Sequence, residues 1–156
     1  MLKLKIIVVD RTRLPFLVQG ESYYMDRLQR YAHTEWIEVR PVKIKKGKPV
    51  AEITATEGNS LLKNLLPRDY IVALDRTGVS FDSKELAAWI ETLSLSYDRI
   101  AFLIGGPLGL SKSVLDSAHR ILSLSRLTLT HEMSRLFLLE QLYRALTINR
   151  GEKYHK

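Results

Sequence analysis

The stretch Ile100-Ala101-Phe102-Leu103-Ile104-Gly105-Gly106-Pro107-Leu108-Gly109 decides how the rest of this 156-residue chain is read. Five apolar residues in succession leave no polar face, as expected of a strand covered on both sides. The run stops on glycines and a proline, which break regular structure and let a ligand come close to the backbone. Ser111 follows at a position where its hydroxyl can cap a helix. A doubly covered strand, a glycine turn and a helix in that order indicate an α/β fold with a mostly parallel sheet and helices on both faces.

The flanking sequence repeats the alternation of strand and helix. Upstream, Leu2 to Val9 is rich in aliphatic and β-branched residues and reads as a strand. Leu14, Leu17, Val18, Met25, Leu28 and Tyr31 recur at helical spacing over roughly 15–32. Trp36 to Ile44 alternates like a strand, and Pro41 places it at a sheet edge. Residues 45–49 form a basic turn, and 50–66 reads as a helix weakened by Gly58. Tyr70 to Leu74 is a short apolar strand ending at Asp75, with Thr77-Gly78 as a turn. Asp82 and Glu85 have the spacing of a reciprocal cap, and Leu86, Trp89, Ile90 and Leu93 mark the buried face of its helix. Downstream, Arg126 to Leu129 is a last strand candidate and Glu132 to Ile148 a long apolar helix. No internal repeat or linker divides the chain, so one domain over 1–156 is expected.

Composition removes several classes of function. Apolar residues are 46% and charged residues 26%, which excludes a disordered chain. Cysteine is absent, so disulfides, thiolate metal sites and Cys nucleophiles are excluded. No run approaches the ~20 apolar residues of a membrane span, and a cytoplasmic protein is expected. The net charge is +7, from 24 Lys and Arg against 17 Asp and Glu, which favours a polyanionic partner. The charge is concentrated at Arg40, Lys43, Lys45, Lys46 and Lys48, and at the tail residues Arg150, Lys153, His155 and Lys156.

In open α/β sheets ligands bind beyond the carboxyl ends of the strands. Three such ends, at Leu74-Asp75, Gly105-Gly106 and Leu127 to Thr130, are expected to line one pocket. The glycines lack the G-x-G-x-x-G spacing of a dinucleotide site. Lys112-Ser113 lacks the immediately preceding glycine of a phosphate loop. A plain glycine turn fits the spacing equally well. No G-x-S-x-G, H-E-x-x-H or carboxylate cluster is present, so no metal site is expected. His33 and His119 read as surface or helix-end residues. His131 and Arg135 share one helix face near its start, where backbone amides favour anions; a helix cap beside a solvated Arg explains them as well. Tyr154-His155-Lys156 offers a stacking group, a proton exchanger and a cation, against the alternative of an ordinary fraying terminus.

Taken together, several segments resemble the RlmH family of SPOUT methyltransferases across essentially the whole length. They are Ile71-Val72-Ala73-Leu74-Asp75 with Gly78, Leu103 to Ser111, Leu122-Ser123-Leu124-Ser125, Leu127-Thr128-Leu129-Thr130-His131, Leu139-Glu140-Gln141-Leu142-Tyr143-Arg144-Ala145 and Tyr154-His155-Lys156. The resemblance implies a deep C-terminal trefoil knot, a homodimer, and S-adenosylmethionine held by Leu74, Gly105, Gly106, Ser125, Arg126, Leu127, Thr128, Leu129 and Thr130. It implies methylation of N3 of a pseudouridine in 23S ribosomal RNA, within the large subunit or the whole ribosome. In that scheme His155 helps remove the base proton, Tyr154 positions the base, and Arg135 holds RNA phosphate or the carbonyls of the target. The tail is then expected to reach the partner subunit's pocket. Ser134, where the family favours a branched aliphatic, and Lys153, where it favours Pro, depart from the pattern. A non-catalytic RNA-binding or ribosome-assembly module of the same fold is the alternative.

Overall fold

Alternation within the first strand sets the layers of the molecule. In β1 (Lys3–Val9), Leu4, Ile6 and Val8 point to one side of the sheet, while Ile7 and Val9 point to the other. The computed structural model, which describes residues Met1–Lys156, places this strand inside a five-stranded sheet. The other strands are β2 (His33–Val39), β3 (Tyr70–Val79), β4 (Arg99–Ile104) and β5 (Arg120–Leu122). Their order is β2-β1-β4-β3-β5, and every pairing is parallel. No helix is long and apolar enough to cross a membrane.

Helices α1 (Pro15–Leu28), α3 (Ser83–Ser94) and α5 (His131–Asn149) cover the face that carries Leu4, Ile6, Val8, Ile100 and Phe102. Helices α2 (Val50–Leu62) and α4 (Lys112–Ser117) cover the opposite face, around Ile7, Val9, Leu61, Leu103 and Val114. The sheet is therefore buried on both sides, as the unbroken apolar run of β4 requires. Gly58, an unfavourable residue inside a helix, has a packing reason. A Cβ there would stand 2.5 Å from the Ser111 hydroxyl, so glycine lets α4 lie against α2. Asp82 and Glu85 form the expected reciprocal cap, each side chain bonding the other's backbone amide at 2.8 Å.

Several element boundaries differ from the sequence reading. Helix α1 stops at Leu28, because the Gln29 amide side chain binds the backbone of Thr34 and turns the chain into β2. Helix α2 stops at Leu62 rather than near 66. Strand β2 ends at Val39, and the Val42 amide turns to the Glu57 carboxylate instead of to a neighbouring strand. Strand β3 runs through the expected Thr77-Gly78 turn to Val79, with a register shift between Leu74 and Val79. The last strand is Arg120–Leu122, not Arg126 to Leu129. Ser123 and Ser125 bond to the backbone just beyond β5 and turn the chain away, so the alternating Leu127-Thr128-Leu129 has no strand to pair with.

Candidate active site

The carboxyl ends of β3, β4 and β5 surround a pocket of about 760 Å³. Its central wall is the turn after β4. There the Gly109 amide bonds the Gly106 carbonyl at 3.0 Å, and Gly109 takes a φ of +81°, open mainly to glycine. A Cβ on Gly105 would stand 2.6 Å from the Gly109 carbonyl, so the turn closes only around a bare backbone. The end of β3 is equally tight: a Cβ on Gly78 would lie 2.4 Å from the Ile121 carbonyl oxygen. The Ser123 amide then bonds Val79 O at 2.9 Å, joining β5 to the far end of β3.

Leu74, Gly105, Gly106, Ser125, Leu127, Thr128, Leu129 and Thr130 all line this one pocket. Arg126 lies in the same loop but is exposed and outside the lining. Although 126–129 is not a strand, the loop still delivers its residues to the place a strand end was expected to occupy. Its size lies within the range of about 300–1,000 Å³ usual for small-molecule sites. Backbone groups and leucines dominate the wall, with Asp75 and Arg76 at one side and no lysine. That donor set fits a nucleoside without phosphates better than a nucleotide. Lys112, the residue a phosphate loop would need, instead pairs with Asp116 at 2.6 Å on the exposed side of α4.

The start of α5 closes the pocket from below. Thr130 caps the helix by accepting the Met133 amide at 3.1 Å. His131 lines the pocket, and its pKa is held below the usual value by burial first and then by the Arg135 charge. Arg135 itself is fully buried, where the sequence left open a solvated residue or one held out to RNA. Its Nη1 donates to Thr12 Oγ1 at 2.9 Å and its Nη2 to the Val9 carbonyl at 2.5 Å. Thr12 donates onward to Glu21 at 2.8 Å, and burial raises the Glu21 pKa against the pull of Thr12 and Arg135. Glu132 accepts the backbone amides of Arg13 and Leu14. These bonds hold the β1–α1 loop on the first turn of α5. Asp10 sits in that loop at φ +69°, a strain of roughly 1–2 kcal/mol for a non-glycine residue. It is secured by the Arg11 amide at 2.8 Å and the Arg13 guanidinium at 2.9 Å.

The tail lies elsewhere. Gly151, at φ +67°, ends α5 with its amide on Ile148 O, and the Glu152 amide reaches back to Thr147 O, which reverses the chain. Tyr154 then packs edge-on against Tyr143 at 4.7 Å and donates to Glu140 at 3.0 Å. Burial, and next its bonds to Tyr24 and Glu140, push the phenol pKa upward. His155 Nδ1 lies 3.2 Å from the Arg144 guanidinium, which also pairs with Glu140 at 2.6 Å. A guanidinium can only donate, so this contact makes Nδ1 the acceptor and puts the ring proton of the neutral imidazole on Nε2. Neither Tyr154 nor His155 lines the glycine pocket.

The sequence reading missed Glu57, Thr12, Glu21, Glu140 and Arg144. Only Glu140 and Arg144 carried a signal, their i, i+4 spacing on α5. The remainder are brought together by tertiary contacts. His119, expected to be an ordinary surface residue, accepts the Ile71 amide at 2.9 Å and stacks on Tyr70 at 4.9 Å, so it fastens the start of β3.

Comparison with known proteins identifies the setting. Residues 2–155 match the family model described as predicted SPOUT methyltransferase. A relative from Thermotoga neapolitana, named ribosomal RNA large subunit methyltransferase H, is 44% identical over 149 residues, covering 96% of this chain and 97% of the relative. A relative of the same name from Moorella thermoacetica is 43% identical over 160 residues and covers both chains completely. Among solved structures, a probable methyltransferase from Bordetella pertussis superimposes with a TM-score of 0.56 at 17% identity, over 92% of this chain and 95% of that one. A probable methylase family protein from Haemophilus influenzae gives the same TM-score at 14% identity, over 98% of this chain and 70% of that one. At such identities the two structures speak for the fold.

Proposed function

The chain belongs to the SPOUT methyltransferase family, and from that membership we propose that it methylates N3 of a pseudouridine in 23S ribosomal RNA, with S-adenosylmethionine as donor. The observation that carries this reading is the coincidence of a full-length match to large-subunit ribosomal RNA methyltransferases with one pocket, without lysine, at three strand ends. When bound there, S-adenosylmethionine supplies a methyl carbon activated by a sulfonium leaving group. The chain's own task is positioning. The Gly105–Gly109 turn and the 123–130 loop hold one reactant so that nucleophile, methyl carbon and sulfur lie in line, which removes much of the entropic barrier. The same reading takes the chain from β4 through β5 into α5 as a deep trefoil knot; the close passage of Gly78 against Ile121 supports it.

The imide proton on N3 must leave for nitrogen to act as a nucleophile. His155 is assigned that proton and Tyr154 the placement of the base. As docked, His155 presents its Nδ1 to Arg144, so the acceptor nitrogen is occupied until the tail shifts. Because the tail and the glycine pocket are separate within one chain, the reading requires a homodimer in which each tail serves its partner's pocket. Leu14 and Phe16 at the start of α1, with Met133 and Phe137 on α5, are exposed apolar side chains on two helices that pack together, and they are assigned to that contact. Arg135 is assigned a positioning role: buried, it ties the end of β1 to α5 rather than touching RNA.

The test is transfer of labelled methyl from S-adenosylmethionine to ribosomes that lack the modification, followed by nucleoside mass spectrometry. Labelled N3-methylpseudouridine is expected. No transfer would overturn the reading in favour of a non-catalytic RNA-binding module.

A further inference from the structure

A second cavity, of about 330 Å³, lies on the other side of the glycine turn. Pro107, Leu108 and His131 line both cavities, so only that turn and the first residue of α5 separate them. At its floor stands Glu57, only 4% exposed and projecting from the middle of α2. One carboxylate oxygen, Oε2, accepts the Val42 amide at 3.0 Å. The other, Oε1, has no hydrogen-bond partner in the protein and stands 3.7 Å from where a Cβ on Gly106 would be, and Glu57 lines the cavity. Burial raises the Glu57 pKa, with the nearby Asp10 charge adding to it. This oxygen is an acceptor that a donor entering the cavity can satisfy. Nothing in the methyl-transfer scheme above uses it.

The walls and mouth indicate the donor. Ile53, Ile44, Pro41 and Pro107 provide flat apolar surfaces. Arg11 and Arg13 stand at the rim, exposed. The β2–α2 loop that contributes Pro41, Val42 and Ile44 also carries Arg40, Lys43, Lys45, Lys46 and Lys48, a concentration of positive charge on one exposed segment. Asp10 and Glu132 also line the cavity, Arg13 being paired with Asp10 at 2.9 Å, so the positive charge lies outside it, at Arg11 and along the 40–48 loop. An acceptor in a largely apolar slot beside that basic loop suits a planar group with N–H donors on a polyanionic backbone. That describes an unstacked nucleobase of single-stranded RNA. The volume is near the lower end of ligand sites, suited to one base rather than a whole cofactor.

We infer that this cavity receives a second nucleobase of the RNA substrate, close to the one methylated, with Glu57 Oε1 accepting from its N–H edge and the 40–48 loop holding the adjoining phosphates. The inference rests on the ribosomal RNA reading above. It adds a readout of base edges by this chain, separate from the chemistry. The amino groups of guanine, adenine and cytosine and the imino N–H of guanine and uracil satisfy Glu57, whereas a base turned to present acceptors alone would not.

Two measurements on the full-length protein with unmodified ribosomes test it. Glu57→Gln keeps the shape and the bond to Val42 but turns an NH2 group into the cavity. The expected result is a KM for ribosomes raised about tenfold, with kcat, S-adenosylmethionine affinity and thermal midpoint close to wild type. An unchanged KM overturns the inference, as does a variant whose defect is confined to cofactor binding or folding. Separately, benzoylphenylalanine in place of Ile44 is expected to photocrosslink to 23S RNA within a few nucleotides of the methylated position. Adducts on ribosomal protein alone, or no adduct, overturn it. Crosslinking to RNA by a protein that transfers no methyl would uphold this cavity and sink the methyltransferase reading, so the two failures are distinguishable.

Discussion

The glycine pocket and the C-terminal tail are built on opposite principles. The pocket's walls come from one chain and close tightly, since a Cβ at Gly105 or Gly78 would meet backbone. The tail is held by side chains alone beyond its helix cap: phenol bonds from Tyr154 to Glu140 and Tyr24, a bond from Tyr31 to Glu152, one aromatic edge and the Arg144 contacts to Tyr154 and His155. Net contributions of such bonds are about 0.5–1.5 kcal/mol each, so the tail can leave its resting place at modest cost. On the proposed reading, cofactor binding belongs to the single subunit and the tail's proton-handling groups serve another pocket.

The sharpest way to break this division is at His155. Replacing it with Ala should reduce single-turnover methylation by roughly 100-fold or more while S-adenosylmethionine binds with unchanged affinity. Full activity would remove the tail from catalysis. Arg135→Ala should show the reverse pattern, because Arg135 supports the pocket side. Loss of a buried guanidinium that bonds Val9 and Thr12 near Glu21 should cost about 3 kcal/mol, read as a fall of roughly 6–12 °C in thermal midpoint. A stability change under 1 °C would show that the buried network is dispensable.

Gly105→Ala probes the turn directly. Its Cβ would meet the Gly109 backbone, so cofactor affinity should fall about tenfold, or ~1.4 kcal/mol, as calorimetry would record, with Tyr154 still docked. Tyr154→Phe removes the bond to Glu140 and should loosen the tail by about 1 kcal/mol. Hydrogen exchange over residues 152–156 should accelerate while exchange in β4 stays unchanged. The smallest effect concerns pH. His131 has a lowered pKa in the folded chain, so stability is highest above its ordinary value near 6.5 and is lost as pH falls toward the folded value. Protonation there also puts a cation beside a cationic cofactor. Affinity should then weaken by a few-fold, about 0.5–1 kcal/mol for a pair screened by water in an open pocket, and His131→Asn should flatten that dependence.

Much of this arrangement was legible in the residue order. The doubly buried β4, the glycine turn, the Ser111 and Asp82 caps and the long α5 follow from local pattern, because each depends on neighbours within a few positions. The 126–129 segment shows the limit. Its alternation is that of a strand, but a strand also needs a partner, and Ser123 and Ser125 turn the chain away before one is met. Glu57 and Glu21 shared the anonymity of any acidic residue on a helix. Their burial comes from loops separated from them by up to fifteen positions and from elements packed across the sheet.

From the chain alone follow the α/β class, the family resemblance, the basic character and most residues of the glycine pocket, since those are carried by composition, short motifs and strand ends. Only the folded molecule separates the pocket from the tail, sinks Arg135 beneath the surface and opens the Glu57 cavity beside the glycine turn. The physical reason is range. Periodicity and capping act over one or two turns of chain, whereas burial and desolvation depend on which distant segments the sheet order brings together.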